Sequence, residues 1–137
     1  MAEKINLTCN MNEIEDICNS QNNCQTSKDG NKKGYVEINI YGEELLISFE
    51  ADGMFWTYLS RWLPEDKAET IDYSNNADLF YVKQKWIHDN GVNIEESITL
   101  VRTSGTIKVE KKASTDSSYI ITKYYGECEK TSGKRKF

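Results

Sequence analysis

His88 is the only histidine in the chain, and it stands in the segment WIHDNG. A serine or cysteine nucleophile needs a neighbouring base, and histidine is the usual one near neutral pH. The Asn-Gly step that follows signals a tight turn, which makes His88 a solvated turn residue. No serine lies in the G-x-S-x-G surroundings of a nucleophile elbow. Paired carboxylates occur at Glu43-Glu44 and Glu95-Glu96. Adjacent residues on a strand face opposite sides, so neither pair converges on one glycosidic bond. A zinc site needs closely spaced ligand pairs such as C-x-x-C, which the chain lacks, and a single histidine cannot supply a second pair. The stretch DGNKKG lacks the oxygen-ligand spacing of a calcium loop, and no phosphate-binding loop is present. We therefore expect no catalytic residue, no metal and no cofactor, with hydrolysis the weakest of three functional readings.

The cysteines carry more information. In INLTCNM, Ile5, Leu7, Cys9 and Met11 share one parity, so on a strand Cys9 points with the apolar face. Cys128 is in phase with Ile120, Thr122, Tyr124 and Gly126 in the last strand candidate. Cys18 and Cys24 flank a short polar stretch. Four cysteines allow three connectivities, and the sequence does not choose between them. Parity favours Cys9 with Cys128 and Cys18 with Cys24. Four reduced thiols, with Cys9 and Cys128 acting as small core hydrophobes, is the other reading.

Aromatic side chains concentrate in MFWTYLSRWL, which holds Phe55, Trp56, Tyr58 and Trp62. Either both faces of this segment are covered and the rings belong to the core, or Phe55 and Leu59 point inward. In the second case Trp56, Tyr58 and Trp62, with Arg61, form a contact surface, since such residues dominate interfaces.

These residues must be positioned by strands. Val36, Ile38 and Ile40 in YVEINIY face one way, with Glu37 and Asn39 opposite. Leu45, Ile47 and Phe49 repeat the pattern in LLISFE, as do Phe80, Val82 and Trp86 in LFYVKQKWI, and Ile107 and Val109 in TIKVEK. Turn signals stand between them: YGEE, ADG, NNAD, HDNG and TSG, with Asn-Gly in HDNG suiting a type I′ turn. Pro64, the only proline, ends the aromatic segment. Positions 20–33 read as an exposed polar loop, and Ile14, Ile17 and Cys18 stand at the spacing of a short helix. The expected fold is mostly β, a single domain over residues 1–137. It is an antiparallel meander of about eight strands forming a sandwich or small barrel, with at most a short N-terminal helix.

Apolar residues make up 38% of the 137, and aromatics 11%, which is too much hydrophobic material for general disorder. A formal charge of -5 argues against nucleic-acid binding, whose affinity comes largely from phosphate neutralisation. No apolar run is long enough for a membrane span. The opening MAEKINLTCN has no apolar leader core. The chain is then cytoplasmic as written, or a mature exported chain with Met1-Ala2 as an added start; the cysteines favour the second.

ITLVRTSGTIKVE followed by YYGECEKTSGKRKF is similar to the C-terminal half of small exported bacterial β-domain proteins of uncharacterised function. The matching residues are Arg102, Gly105, Gly126, Cys128 and Phe137, with Cys9 as the early cysteine. The resemblance implies a periplasmic or secreted β-domain without a known activity, and a bridge from Cys128 to Cys9. The leading expectation is a non-catalytic binding protein of the bacterial envelope, in one version an inhibitor or immunity protein acting through a sheet surface on another protein or envelope component. The alternative is a small-ligand carrier with a barrel cavity.

Overall fold

Period-two alternation becomes strand wherever one face can be buried, and here it does so along nearly the whole described chain. The computed structural model describes residues 2–18, 26–51, 54–59, 69–88 and 90–130. The strands are β1 (Ala2–Cys18), β2 (Thr26–Tyr41), β3 (Glu44–Ala51), β4 (Met54–Leu59) and β5 (Glu69–Asn75). They continue as β6 (Leu79–Ile87), β7 (Asn93–Val101), β8 (Thr106–Ser114) and β9 (Tyr119–Lys130). All belong to one antiparallel sheet of nine strands, ordered β4-β3-β2-β1-β9-β8-β7-β6-β5. The chain thus meanders outward from both sides of a central β1–β9 pair, and the sheet curls into a half-barrel. Among the described residues no second layer covers the sheet's apolar face, and the sheet buries that face by rolling on itself.

Every expected apolar row lies on the inner face. Ile5, Leu7, Cys9 and Met11 of β1 meet Val36 and Ile38 of β2, Leu45, Ile47 and Phe49 of β3, and Phe80 and Val82 of β6. Ile98, Leu100, Ile107, Val109 and Cys128 complete the core. Ile120, the second residue of β9 and in phase with this face, is nevertheless 50% exposed.

Cys9 and Cys128 are directly opposed in the β1–β9 register and form a disulfide, with Cα atoms 4.0 Å apart and a sequence separation of 119. The bridge therefore joins the first and last strands at the centre of the sheet. Cys18 is also disulfide-bonded; Cys24, its expected partner, lies outside the described residues. Phe137 and positions 61–68, which include Pro64, lie outside them too.

Arg102, Gly105, Gly126 and Cys128, the described residues of the C-terminal pattern singled out in the sequence, each have a structural reason. Arg102 spans the β5–β6 and β7–β8 turns: its backbone N–H donates to Asp78 O and its guanidinium to Asn76 O, both at 2.8 Å. The same guanidinium lies 4.3 Å from the centre of the Phe80 ring. Gly105 takes φ 79° in the β7–β8 turn, and its carbonyl accepts from Cys128 N–H. Gly126 faces the irregularity in β1 between Met11 and Glu13, where a Cβ would overlap the Asn10 carbonyl oxygen. The fourth, Cys128, carries the bridge itself.

Three expectations need correction. No helix forms around Ile14: β1 runs on to Cys18 because, past the irregularity, it is paired on both sides, with Asp16 opposite Thr26 of β2 and Thr122 of β9. Two ladders outweigh the weak helical preference of a short segment. The polar stretch read as a loop to position 33 already belongs to β2 from Thr26, again because β1 supplies a partner for it. The β6–β7 hairpin turns one residue earlier than an Asn90-Gly91 type I′ turn: Gly91 N–H donates to His88 O and His88 N–H to Val92 O, each at 2.8 Å, with Gly91 at φ 86°.

Candidate functional site

The aromatic segment does not form a surface where it is described. Trp56 and Tyr58 are 9% and 0% exposed and face the core. Their register decides this: Trp56 opposes Phe49 and Tyr58 opposes Ile47, and directly opposed residues share a face. Of the two readings of this segment, the core one holds for Trp56 and Tyr58, and they do not form the alternative contact surface; Arg61 and Trp62 lie outside the described residues. Trp56 stacks on Phe49 with centroids 5.3 Å apart, and Tyr124 meets both rings edge-on. These rings fill the inner face that a carrier would have to leave open.

One polar group enters the same interior. Glu96 is 7% exposed and accepts from Gln84 Nε2 at 2.8 Å and Trp86 Nε1 at 3.1 Å. Gln84, 1% exposed, also donates to the Thr57 carbonyl at 2.8 Å, which ties β6 to β4 where no ladder joins them. Burial, and then the nearby Glu96 charge, push the Tyr58 hydroxyl well above the ordinary tyrosine range. These contacts close the half-barrel and hold no reacting geometry. Glu95 and Glu96 do face opposite sides, Glu95 being exposed. Glu43 and Glu44 stand at the β2–β3 turn, and His88 is exposed at the β6–β7 turn with its ring 5.7 Å from Trp86.

The outer face carries three grooves, and charge distinguishes them. The first, about 460 Å³, crosses β5–β8 and sets Glu69 and Glu95 against Lys85 and Lys112. The register interleaves the signs: Glu69 faces Lys85, Lys85 faces Glu95, and Glu95 faces Lys112. The third, about 160 Å³, has Lys83, Lys112 and Lys123 against Glu95 and Glu110 on the outer face, with the inward Glu96 beneath them. Neither has more outward carboxylates than lysines.

The second groove, about 400 Å³, does. It lies over β1–β3 and is lined by Asn6, Leu7, Tyr35, Val36, Glu37, Ser48 and Glu50, with no cation among these described wall residues. Tyr35 opposes Glu50 and Glu37 opposes Ser48, so the four make a square on the outer face, and Asn6 stands beside Glu37. Tyr35 is 52% exposed. Lys4 reaches Glu37 from the rim at 3.1 Å, and with Asn39, 3.2 Å away, it holds that carboxyl below the usual carboxylate range. Among the described residues Glu50 has no ion-pair partner. Glu127 and Glu129 of β9 continue the acidic face, opposite Asn10 and Thr8 of β1. Alternation already placed Glu37 outward. That Glu50 and Tyr35 join it was not readable without the β2–β3 register.

No family model, no curated protein and no solved structure matches this chain.

Proposed function

We propose that this chain is a non-catalytic binding protein of an oxidising, extracytoplasmic compartment, which presents the convex face of β1–β3 and β9 to a basic partner. An inhibitor or immunity protein set against a cationic toxin or lytic enzyme is the concrete form. The observation that carries the reading is the contrast between the two faces: the inner one is packed ring against ring, while the outer one holds a groove whose Glu50 has no ion-pair partner among the described residues. Complementary charge speeds encounter and sets orientation, which suits an inhibitor that must reach its target quickly. The Cys9–Cys128 bridge supports the compartment, because such bonds persist where thiols are oxidised, and it stiffens the strands that bear the groove.

The described residues contain no helix long and apolar enough to cross a membrane. The filled inner face counts against the small-ligand carrier. The test is a photo-reactive amino acid placed at Tyr35 in one version and at Lys85 in another, irradiated in the native host. A discrete adduct with one protein from position 35 and none from 85 is expected; no adduct from position 35 would sink the proposal.

A further inference from the structure

We infer that the β1–β3 groove is a receptor for an arginine side chain, so that the partner docks by inserting one guanidinium between Tyr35 and Glu50. This rests on the binding role proposed above and names the chemistry of its anchor. The lining supplies acceptors of every kind a guanidinium uses. Glu50 and Glu37 offer carboxylates, Asn6 an amide oxygen and Ser48 a hydroxyl, and Tyr35 forms an aromatic wall directly across from Glu50. Cross-strand neighbours stand about 5 Å apart and next-but-one residues on a strand about 7 Å, a frame the width of a guanidinium with its hydrogen bonds. A planar, weakly hydrated cation that stacks on a ring while donating sideways fits such a frame better than a compact, strongly hydrated ammonium.

The molecule already uses the same pairing internally, with Arg102 over the Phe80 ring at 4.3 Å. Its other two grooves do not qualify, since neither holds more outward carboxylates than lysines. Lys4 occupies Glu37 from the rim and leaves Glu50 as the carboxylate that an incoming cation meets.

The experiment is titration of the isotope-labelled, oxidised protein with a tetra-arginine peptide, followed by backbone amide shifts at low ionic strength. We expect shifts concentrated at Tyr35, Glu37, Ser48 and Glu50, and affinity at least threefold higher than for tetra-lysine. Glu50→Gln should weaken binding about tenfold, and Tyr35→Ala about threefold to fivefold. Both positions are exposed, so both variants should fold; unchanged far-ultraviolet spectra check this. Shifts confined to the Lys85–Lys112 groove, equal affinity for the two peptides, or an unchanged affinity in Glu50→Gln would each overturn the assignment. A position-35 adduct obtained alongside any of these would leave the binding role standing and remove only the arginine anchor.

Discussion

Gln84 closes the half-barrel onto Thr57: one side-chain hydrogen bond of 2.8 Å spans the seam between β6 and β4 that no backbone ladder crosses. The same amide donates to buried Glu96, so a single side chain satisfies an edge carbonyl and an inner carboxylate together. Removing it takes the side-chain donor from the Thr57 carbonyl and leaves Glu96 with Trp86 Nε1 alone, in a place water reaches poorly. Gln84→Leu keeps the bulk and loses the donors. We expect it to cost about 2–3 kcal/mol in urea melts with an unchanged slope, and to raise amide exchange in Met54–Leu59 more than in β1. A loss below about 0.5 kcal/mol, within the range of ordinary surface changes, would mean that apolar packing alone holds the seam.

The disulfide ties residues 119 apart. Closing so long a loop restricts the unfolded chain by roughly 4–5 kcal/mol on the chain-entropy model. Replacing Cys9 and Cys128 together by alanine should lower unfolding free energy by about 3–5 kcal/mol, while the far-ultraviolet spectrum keeps its β character. Chemical denaturation of the double variant against the oxidised parent measures this. A difference under about 1 kcal/mol would show the bridge to be incidental to stability.

Two glycines of the central strands should respond unequally to alanine. At Gly126 the new Cβ would overlap the Asn10 carbonyl oxygen and lie 2.9 Å from Met11 Cα, both backbone atoms that cannot give way. At Gly34 it would meet the Phe49 ring at 3.2 Å and the Met11 sulfur at 3.4 Å, and both side chains can shift. Gly126→Ala should cost on the order of 3 kcal/mol or more, and Gly34→Ala about 1 kcal/mol. Thermal melts of the two single variants decide it; a reversed order would refute the close β1–β9 approach.

Tyr58 makes stability depend on alkaline pH. Its folded pKa is raised by burial and by the Glu96 charge, while the unfolded side chain titrates near 10. The folded state therefore holds the proton after the unfolded state has released it, and stability falls as pH rises through 10. The hydroxyl also has no hydrogen-bond partner among the described residues. Tyr58→Phe should flatten the decline above pH 10 and raise stability at pH 7 by about 1 kcal/mol. Denaturation at pH 7, 9 and 10.5 checks both; a variant less stable at pH 7 would mean that the hydroxyl is bonded.

Strand identity was legible because it rests on alternation, a property of neighbours in sequence. Ile5 to Met11, Val36 to Ile40 and Leu45 to Phe49 state their burial in their own spacing. The orientation of Trp56 and Tyr58 was not legible. A segment rich in rings on both parities offers two faces of equal appeal, and only pairing with Phe49 and Ile47 selects one. The extension of β1 to Cys18 was hidden for the same reason: a polar, half-helical stretch becomes strand once β2 and β9 offer it two ladders.

What the sequence determined by itself is therefore the local grammar: a strand-rich chain, an inward Cys9 and Cys128, outward Glu37 and Asn39, and turns at Gly42, Gly91 and Gly105. Each follows from side-chain period or from a backbone angle that glycine alone takes easily. The tertiary structure alone decided which strands are neighbours. That choice sets Cys9 against Cys128, Gln84 against Thr57 and Tyr35 against Glu50, because cross-strand contacts join residues far apart in the chain. Register is fixed by burying one whole face at once, and no single segment carries that information.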